Sequence, residues 1–559
     1  MAKKDYTNWD RKELIKEIDQ LRKRKKYGLV WEDKPENVVE QCKTELPVLE
    51  EVKSKEIITD PDKPINLLIE GDNFHALSVL NYTHKGKIDV IYIDPPYNTG
   101  AKDWKYNNDY VDINDRWRHS KWLSMMNNRL KIAKNVLKKN GILICAIDEN
   151  EISHLGVLLE ELFPSKHITP VTVIHNPSGI QGKNFSNNNE FLFFVYNGSE
   201  KSIALEERDE DGADVRPFIN GAKGNTKSYL RESGNNSFYP ILVKNNEVVG
   251  FGDVCAINFH PKSRVVQNGK ILEIYPIDND GVERKWLFSR NSVEEIINEL
   301  SVKINSRTKE PQIIRTKNKI NYKTVWISPK YNAKKYGTEL VKNILNKDFP
   351  FPKSLHAVEE AIKASVHPKD SIILDFFAGS GTTAHAVLNL NSNDEGKRKF
   401  IICTNNEGNI AEEICYPRIK KVIEGYTDIQ KAKIEGLGGN IKYFKTSFVP
   451  ADTTDKNKIA LTEKATEMLC VKEDTFEEVK TTKQYKIFKN KKRYTGIVFD
   501  HQAINDFKKE ITKIDGKFSL YIFSLGDDTF DEEFEDMKKK VKLSPIPEAI
   551  LRVYRRIFK

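Results

Sequence analysis

The sequence predicts an α/β fold with a mostly parallel sheet, because apolar strands alternate with helices along it. Residues 67–69 and 88–93 are apolar runs of strand length, and a helical stretch begins between them at Phe74. Apolar residues then recur at helical spacing over 123–137, and another apolar run follows over 142–147. Strands that are apolar on both faces are typical of parallel sheets, which helices cover on both sides.

The composition is that of a globular protein with room for several domains. The chain has 559 residues, a mean hydropathy of −0.57 and no apolar run long enough to span a bilayer. The start of the sequence has no basic-then-apolar pattern, so we expect no signal peptide, and the six cysteines are scattered without a Cys-x-x-Cys pair. We therefore expect no membrane association, no disulfides, no metal site and a cytoplasmic location. The net charge of +9 fits a polyanionic partner, although many lysine-rich proteins bind no nucleic acid.

Shifts in pattern along the chain predict five segments. We expect a helical and irregular N-terminal arm over 1–60, a first α/β part over 61–200, an inserted domain over 201–334, a second α/β part over 335–450 and a small mixed α/β domain over 451–559. The arm has a basic run at 22–26, and the insertion is expected to be irregular and β-rich, ending in closely spaced basic residues over 307–323. In the last segment, 518–523 and 550–554 are predicted strands, and 501–513 is a predicted helix.

The strand over 88–93 leads directly into Asp94-Pro95-Pro96-Tyr97. This pattern suits an exocyclic amino group, which is a poor nucleophile because its lone pair is delocalised into the ring. The Asp94 carboxylate can accept one N–H and the Pro95 carbonyl the other, while the two prolines hold that carbonyl rigidly. Tyr97 can stack on a base that has been flipped out of a duplex. The alternative is a proline-rich turn that only reverses the chain.

A glycine-rich turn joins a later apolar strand, 371–374, to a helix. Its residues are Asp375, Phe376, Phe377, Ala378, Gly379, Ser380, Gly381 and Thr382. Glycine permits a tight turn and lets a ligand approach the backbone, but dinucleotide and phosphate sites use similar turns. The third glycine of the dinucleotide pattern is missing here, and no Walker A sequence occurs in the chain. We therefore predict a site for S-adenosylmethionine.

Three further residues are candidates for contacts with that cofactor. Glu407 follows the strand over 400–404, where a carboxylate can accept hydrogen bonds from both ribose hydroxyls. The alternative is that Glu407 is an ordinary loop residue. Asp72 follows the strand over 67–69 and is expected to accept from the adenine amino group of the cofactor. Lys353 lies in a proline-rich segment before the glycine-rich strand, and we expect it in a lid near the cofactor's carboxylate.

With these motifs, the chain resembles the β class of adenine-amino DNA methyltransferases, and in particular the modification (Mod) subunits of Type III restriction–modification systems. The matching stretches are 69–73, 91–100, 336–340, 375–386 and 400–407. The catalytic motif precedes the cofactor motif, which is the circularly permuted order of the β class. One departure concerns the lid, where relatives usually have Lys-Pro and this chain has Lys353-Ser354.

The resemblance implies a fold, an activity and partners. The fold would be a Rossmann-like, seven-stranded, mostly parallel methyltransferase sheet, with the target-recognition domain in the insertion. The activity would be transfer of a methyl group to adenine N6 in double-stranded DNA after base flipping. The partners would be a second copy of the chain, in a homodimer, and a separate ATP-dependent restriction (Res) subunit.

The target base and the biological role have alternatives. Aspartate at position 94 favours adenine, since cytosine-N4 enzymes more often have serine there, but cytosine-N4 methylation stays open. The chain could also serve mainly as the DNA-reading subunit of a phage-defence complex.

Overall fold

The computed structural model describes residues 9–23, 31–179, 184–199, 201–208, 214–221, 227–306, 308–526, 528 and 530–558. Of the basic residues singled out in the sequence, Arg24, Lys25, Lys26 and Arg307 lie outside the described residues. No helix in the described part of the chain has both the length and the apolar character needed to cross a membrane.

The chain forms two compact units. One unit comprises 1–203 together with 323–559, and the other comprises 204–322, which lies within the insertion predicted over 201–334.

The helices of the described residues are α1 (Arg11–Lys23), α2 (Asn37–Gln41), α3 (Asn73–Thr83), α4 (Arg118–Val136), α5 (Ile152–Leu162), α6 (Glu339–Leu345), α7 (Leu355–Ala364), α8 (Thr382–Asp394), α9 (Tyr416–Glu424), α10 (Asp455–Glu463), α11 (Thr466–Glu473), α12 (Ile504–Thr512) and α13 (Glu548–Ile557).

The strands that precede the second unit are β1 (Glu45–Glu51), β2 (Ile57–Ile58), β3 (Ile65–Glu70), β4 (Ile88–Ile93), β5 (Ala101–Tyr106), β6 (Asp109–Asp112), β7 (Leu137–Ile147), β8 (His167–Ile174) and β9 (Asn189–Tyr196). The strands of the second unit are β10 (Leu205–Glu207), β11 (Asp214–Pro217), β12 (Ile219–Asn220), β13 (Ile241–Lys244), β14 (Glu247–Phe251), β15 (Val265–Asn268), β16 (Ile271–Ile274), β17 (Lys285–Trp286), β18 (Leu300–Ile304), β19 (Pro311–Lys317) and β20 (Lys319–Asn321). The strands that follow it are β21 (Val325–Trp326), β22 (Ile372–Asp375), β23 (Lys399–Thr404), β24 (Gly425–Thr427), β25 (Lys433–Glu435), β26 (Asn440–Pro450), β27 (Glu477–Thr481), β28 (Tyr485–Asn490), β29 (Arg493–Val498), β30 (Lys517–Phe523) and β31 (Val541–Ile546).

The first unit is built around a mixed sheet. Among the described residues, eleven strands form it in the order β1-β26-β3-β23-β22-β4-β7-β9-β8-β21, with β2 also paired to β26. The stretch from β26 to β7 is parallel throughout, whereas β9 runs antiparallel to both β7 and β8. Helix α3 packs against α4, α11 and α13, and α7 packs against α8. The α/β class is as predicted, but the sheet is larger than the expected seven strands.

Part of the segment expected to be an irregular arm belongs to this sheet. β1 pairs antiparallel with β26, and β2 pairs with the start of the same strand. Leu46, Val48 and Leu49 of β1 are buried. Glutamates at both ends of β1 hide its strand pattern, and its partner lies far away in the sequence, so local patterning could not reveal the pairing.

The prediction of a strand over 550–554 is wrong, because these residues lie in α13. Ile550, Leu551 and Tyr554 are buried on one face of that helix, and the Tyr554 hydroxyl donates to the Pro47 carbonyl. Their spacing of one and three residues is that of a helix, although isoleucine, valine and tyrosine favour strands. The neighbouring sheet is formed by β27 to β31, and α12 falls within the predicted helix over 501–513.

The second unit is β-rich, as expected, and has its own core. Phe218, Tyr239, Ile241, Trp286 and Ile313 are among the buried residues that pack together there. Its sheets are small, and they include β14-β13-β16-β15 and β11-β19-β18.

Candidate active site

The two predicted motifs end neighbouring strands of the central sheet. β4 and β22 pair in parallel, with Ile91 opposite Leu374. Parallel neighbours end at the same edge of a sheet, so Asp94, directly after β4, and Asp375, the last residue of β22, emerge side by side. This edge is where ligands bind in open α/β sheets. The fold therefore brings together two motifs that are far apart in the sequence.

A lysine lies between two carboxylates at this edge. Lys353 Nζ is 3.0 Å from Asp94 Oδ1 and 3.2 Å from Glu190 Oε2, and the lysine side chain is only 11% exposed. Burial alone would lower the pKa of Lys353, but the charges of Asp94 and Glu190 raise it, so the ammonium group stays protonated. Burial also raises the pKa of Asp94, and Lys353 opposes that rise. We call Asp94, Glu190 and Lys353 the charge cluster.

The segment that carries Lys353 is held in place on both sides of it. Gly337 lies so close to the Pro352 carbonyl that any side chain at that glycine would collide with it. Ser354 donates its hydroxyl hydrogen to the Lys330 carbonyl at 2.9 Å. The lysine thus reaches Asp94, whereas the sequence suggested a position near the cofactor's carboxylate.

Tyr97 also contacts the charge cluster. Its hydroxyl donates to Glu190 Oε2 at 3.2 Å, and Lys353 Nζ lies 4.5 Å from the centroid of its ring. Pro95 is buried, and the carbonyl of Pro96 accepts a hydrogen bond from Trp122 Nε1 at 2.7 Å. The proline pair and the tyrosine ring are therefore fixed by contacts with α4 and β9. Glu190 has no sequence motif that could have identified it.

A buried asparagine anchors the loop that follows Tyr97. Asn98 has a positive φ of 59°, donates to Glu151 Oε1 at 2.5 Å and accepts from Trp104 Nε1 at 3.0 Å. Asparagine tolerates this left-handed backbone better than most residues. Burial raises the pKa of Glu151 to about 7, and hydrogen bonding to Asn98 opposes that rise. The anchor was not visible in the sequence, because Glu151 lies far from the motif.

Two histidines complete the surroundings of Glu151. His119 Nδ1 lies 2.6 Å from one carboxylate oxygen, and His154 Nδ1 lies 2.8 Å from the other. His119 Nε2 accepts a hydrogen bond from Arg118 Nε at 3.2 Å, which assigns the ring proton to Nδ1. His119 therefore donates to Glu151 Oε1, whereas Glu151 Oε2 and His154 Nδ1 have no hydrogen-bond partner among the described residues. His119, Glu151 and His154 each offer a ligand atom within 4.8 Å of the others, so the group could hold a metal ion.

The glycine-rich turn is organised by its first residue. Asp375 Oδ1 accepts from the Phe377 backbone N–H at 2.9 Å, and Oδ2 accepts from the Thr383 hydroxyl at 2.5 Å. Asp375 is only 2% exposed, and burial raises its pKa to about 7, with a smaller contribution from the charge of Asp94. The two hydrogen bonds favour the ionised form and oppose that rise.

The glycines of the turn have the backbone that the motif predicted. Gly379 and Gly381 have positive φ values of 48° and 80°. A side chain on Gly381 would press against Cys415, whereas the space beside Gly379 is open, since a Cβ there would lie 4.0 Å from its nearest neighbour, the Phe377 carbonyl oxygen. Buried Arg418 donates to Ser380 Oγ and Thr382 Oγ1, both at 2.9 Å, and sequence reasoning missed it.

Asp72 lies beside this turn, at the start of α3. Its carboxylate accepts from the Phe74 backbone N–H at 2.7 Å and lies 3.3 Å from Arg129 Nη2. The adjacent Asn73 side chain donates to the Phe376 carbonyl at 2.9 Å. Asp72 is 31% exposed at its side chain and so keeps surface that a ligand can reach. Arg129, which holds it in place, is another residue that the sequence did not indicate.

Glu407 lies just beyond β23, the strand next to β22. Its carboxylate is 45% exposed and lies 2.5 Å from Lys105 Nζ of β5. Asp72 and Glu407 thus offer partly exposed carboxylates after β3 and β23, the two strands next in the sheet order to β22, which leads into the glycine-rich turn. This arrangement fits a ligand with hydroxyl and amino groups to donate, as S-adenosylmethionine has.

Comparisons with known proteins agree with these motifs. A model of the family N6_N4_Mtase, described as DNA methylase, matches residues 88–416. The Type II methyltransferase M.KpnI of Klebsiella pneumoniae is 32% identical over 67% of this chain and 88% of its own length. The EcoPI Mod subunit, a Type III restriction-modification enzyme of Escherichia phage P1, is 30% identical over 61% of this chain. The chain spans 58% of that Mod subunit's length.

The structure comparison also matches this chain to the M1.HpyAVI–SAM complex. It is 15% identical and overlaps 64% of this chain and 98% of its own, with a TM-score of 0.28, which is too low to bear on the fold. The predicted resemblance to Type III Mod subunits is confirmed by the family match and by the Mod relatives.

The raised pKa of Asp375 predicts a dependence of stability on pH. An acid whose pKa rises from 3.8 to about 7 on folding stabilises the native state below pH 4 and loses that contribution as the pH rises to 7. We expect the free energy of unfolding of the wild type to fall over this interval, by at most about 4 kcal/mol, relative to Asp375→Asn. Urea unfolding at pH 5 and pH 8 measures the difference; equal changes in both proteins would contradict the assignment.

Proposed function

Because this chain belongs to the N6_N4_Mtase family of DNA methylases, we propose that it methylates the N6 amino group of adenine in double-stranded DNA, with S-adenosyl-L-methionine as methyl donor. The observation that carries the proposal is the pairing of β4 with β22, which joins the Asp94 motif and the Asp375 turn at one sheet edge. The permuted order of the two motifs agrees with the β class of these enzymes.

The charge cluster supports a role for Asp94 as an acceptor of hydrogen bonds. Burial raises the pKa of a carboxylate, and a protonated oxygen cannot accept from an amino group. Burial raises the pKa of Asp94, and Lys353, 3.0 Å away, opposes that rise and so favours the ionised form. Asp94 then accepts one N–H of the target, the Pro95 carbonyl accepts the other, and Tyr97 stacks on the flipped base. Both hydrogen bonds strengthen as the nitrogen gains positive charge, so they favour the transition state.

The cofactor supplies a methyl group on a positively charged sulfur. The residues proposed to hold it are Asp72, Glu407 and the glycine-rich turn. Asp72 accepts from the adenine amino group of the cofactor, and Glu407 accepts from the ribose hydroxyls, releasing its contact with Lys105. With both carboxylates ionised, the charge cluster has a net charge of −1, which complements the positive charge that moves from sulfur to nitrogen during transfer.

Target recognition and assembly complete the proposal. The compact unit over 204–322 reads the DNA sequence, since it is inserted into the methylase and has its own core. The similarity to the EcoPI Mod subunit of a Type III restriction-modification enzyme supports a separate ATP-dependent Res subunit as partner. We also propose a homodimer, as the resemblance to Mod subunits implies. The aspartate at position 94 supports adenine over cytosine N4 as the target.

The first prediction from this proposal concerns Asp94. We expect Asp94→Ala to lower methyl transfer by more than about 100-fold, because the target amino group loses its charged acceptor. S-adenosylmethionine binding should stay within a few-fold, since Asp94 does not hold the cofactor. Transfer of a labelled methyl group to DNA and calorimetric titration of the cofactor measure the two effects.

The surface variant Asp515→Ala is the control, because that side chain is 98% exposed. If Asp94→Ala lost cofactor binding, and methyl transfer fell only as much as cofactor binding did, the proposed role of this residue would be contradicted.

Substitutions of Glu190 and of Lys353 are expected to shift the pH dependence of activity in opposite directions. The charge of Glu190 raises the pKa of Asp94 and that of Lys353 lowers it. The acid limb of the kcat/KM profile should therefore move to lower pH in Glu190→Gln and to higher pH in Lys353→Met. We also expect kcat to fall roughly 10-fold or more in Glu190→Gln, because the cluster becomes neutral.

Glu160→Gln is the matched control, since this exposed glutamate of α5 lies outside the cluster. The two cluster variants should shift the acid limb of the kcat/KM profile in opposite directions, which general damage to the fold would not do. A shift in the same direction in both variants would therefore contradict these roles.

A further inference from the structure

Half of the residues that line a cavity of about 270 Å³ in the C-terminal part of the first unit are basic. The basic residues that line it are Arg493, Lys517, Lys538, Lys539, Lys540 and Lys542. Glu473 is the acidic residue among the lining side chains, and its two oxygens accept from the Ser519 and Tyr521 hydroxyls at 2.8 and 2.6 Å. The cavity therefore has a large excess of positive charge.

Strand register explains why these charges gather. β29 and β30 pair in parallel with Arg493 opposite Lys517, and β30 and β31 pair with Ser519 opposite Lys542. Three adjacent parallel strands thus place cations at or near their amino ends, on one edge of the sheet. Like charges directly opposite each other destabilise a sheet. Such an arrangement is costly unless an anion neutralises it.

Few of these cations are neutralised within the protein. Lys538 pairs with Glu535, and the Lys540 ammonium donates to the Ile514 carbonyl. Among the described residues, Lys517, Lys539 and Lys542 form no ion pair, and all three are exposed. A ligand with several negative charges could therefore contact them without first breaking internal contacts.

The positive potential extends beyond the lining residues. Burial lowers the pKa of Lys472 to about 8, with contributions from the charges of Lys87 and Lys542, while the charge of Glu473 opposes this. Burial likewise lowers the pKa of Lys87, and the charges of Lys399 and Arg493 contribute. The charges of two lining residues, Lys542 and Arg493, thus add to the positive potential around the cavity.

Two aromatic residues also line the cavity. The rings of Tyr494 and Phe518 stack with centroids 4.8 Å apart and an angle of 16° between their planes. Phe518 is buried and Tyr494 is partly exposed, and the two rings pack together at the amino ends of β29 and β30. The cations are therefore displayed on a rigid sheet edge and not on a loop alone.

We propose that this cationic edge binds the phosphate backbone of duplex DNA outside the base sequence that the enzyme reads. The contacts are ionic and carry no sequence information, so they add affinity and help to orient the duplex. Duplex DNA is the occupant favoured here because it supplies a continuous row of phosphates for a row of cations. The inference concerns DNA binding only and stands even if the chain methylates a different base from the one proposed.

The test is the salt dependence of DNA binding. Each phosphate contact contributes about 0.9 to the slope of log affinity against log salt concentration. We expect the triple variant Lys517→Gln, Lys539→Gln, Lys542→Gln to bind a fluorescent 40-base-pair duplex of random sequence more weakly, with a slope reduced by up to about 0.9 for each lysine removed. Fluorescence anisotropy of the full chain over a range of salt concentrations gives both values.

The matched control removes the same charge elsewhere in this part of the chain, in the variant Lys483→Gln, Lys509→Gln, Lys513→Gln. These three lysines are exposed and do not line the cavity. The proposal requires the slope to fall in the first triple variant and not in the control. Equal slopes in both, whether reduced or unchanged, would overturn it. The proposal would also be overturned if millimolar inorganic phosphate or ATP occupied the cavity while the slope of DNA binding against salt concentration did not change.

Methyl transfer to the same duplex, measured in parallel, separates this inference from the proposed function. A cavity variant with a reduced slope and full activity at saturating DNA supports the phosphate contacts, because the chemistry is untouched. Absence of methylation in the wild type, with the slope difference intact, would count against the proposed function alone.

Discussion

The ion pairs of Lys353 are the interaction on which the candidate active site depends. Lys353 is largely buried and lies within 3.2 Å of both Asp94 and Glu190. A buried charge without a partner is strongly unfavourable, so each member of the charge cluster needs the others. Because Glu190 also pairs with the ammonium group, Lys353 would keep an ion pair if a target amino group took its place at Asp94 Oδ1.

The sheet topology makes this cluster possible. Asp94 follows β4, Glu190 lies in β9, and Lys353 precedes α7, so the three residues come from distant parts of the sequence. The strands β22, β4, β7 and β9 are consecutive in the sheet and hold these segments side by side. The same edge presents the glycine-rich turn, Asp72 and Glu407. The residues proposed for catalysis and for cofactor binding thus share one rigid support, as precise positioning requires.

The sequence was most informative where chemistry demands a local pattern. The Asp94 motif and the Asp375 turn could be recognised because their prolines and glycines have specific backbone roles. Glu190 and Arg418 could not, since each acts through a contact with a residue far away in the sequence, and nothing in its own neighbourhood marks it. Local propensity also failed at α13, where packing of Tyr554 against β1 outweighs the strand preference of the side chains.

Orientation of an adenine amino group by the charge cluster can be tested by single-molecule sequencing of genomic DNA from a methylation-free host that expresses this chain alone. We expect N6-methyladenine at one short sequence, on one strand, and its loss in a host that expresses the Asp94→Ala variant. N4-methylcytosine at the site, or a genome without any modified base, would rule out this role and would favour a cytosine enzyme or a subunit that only reads DNA.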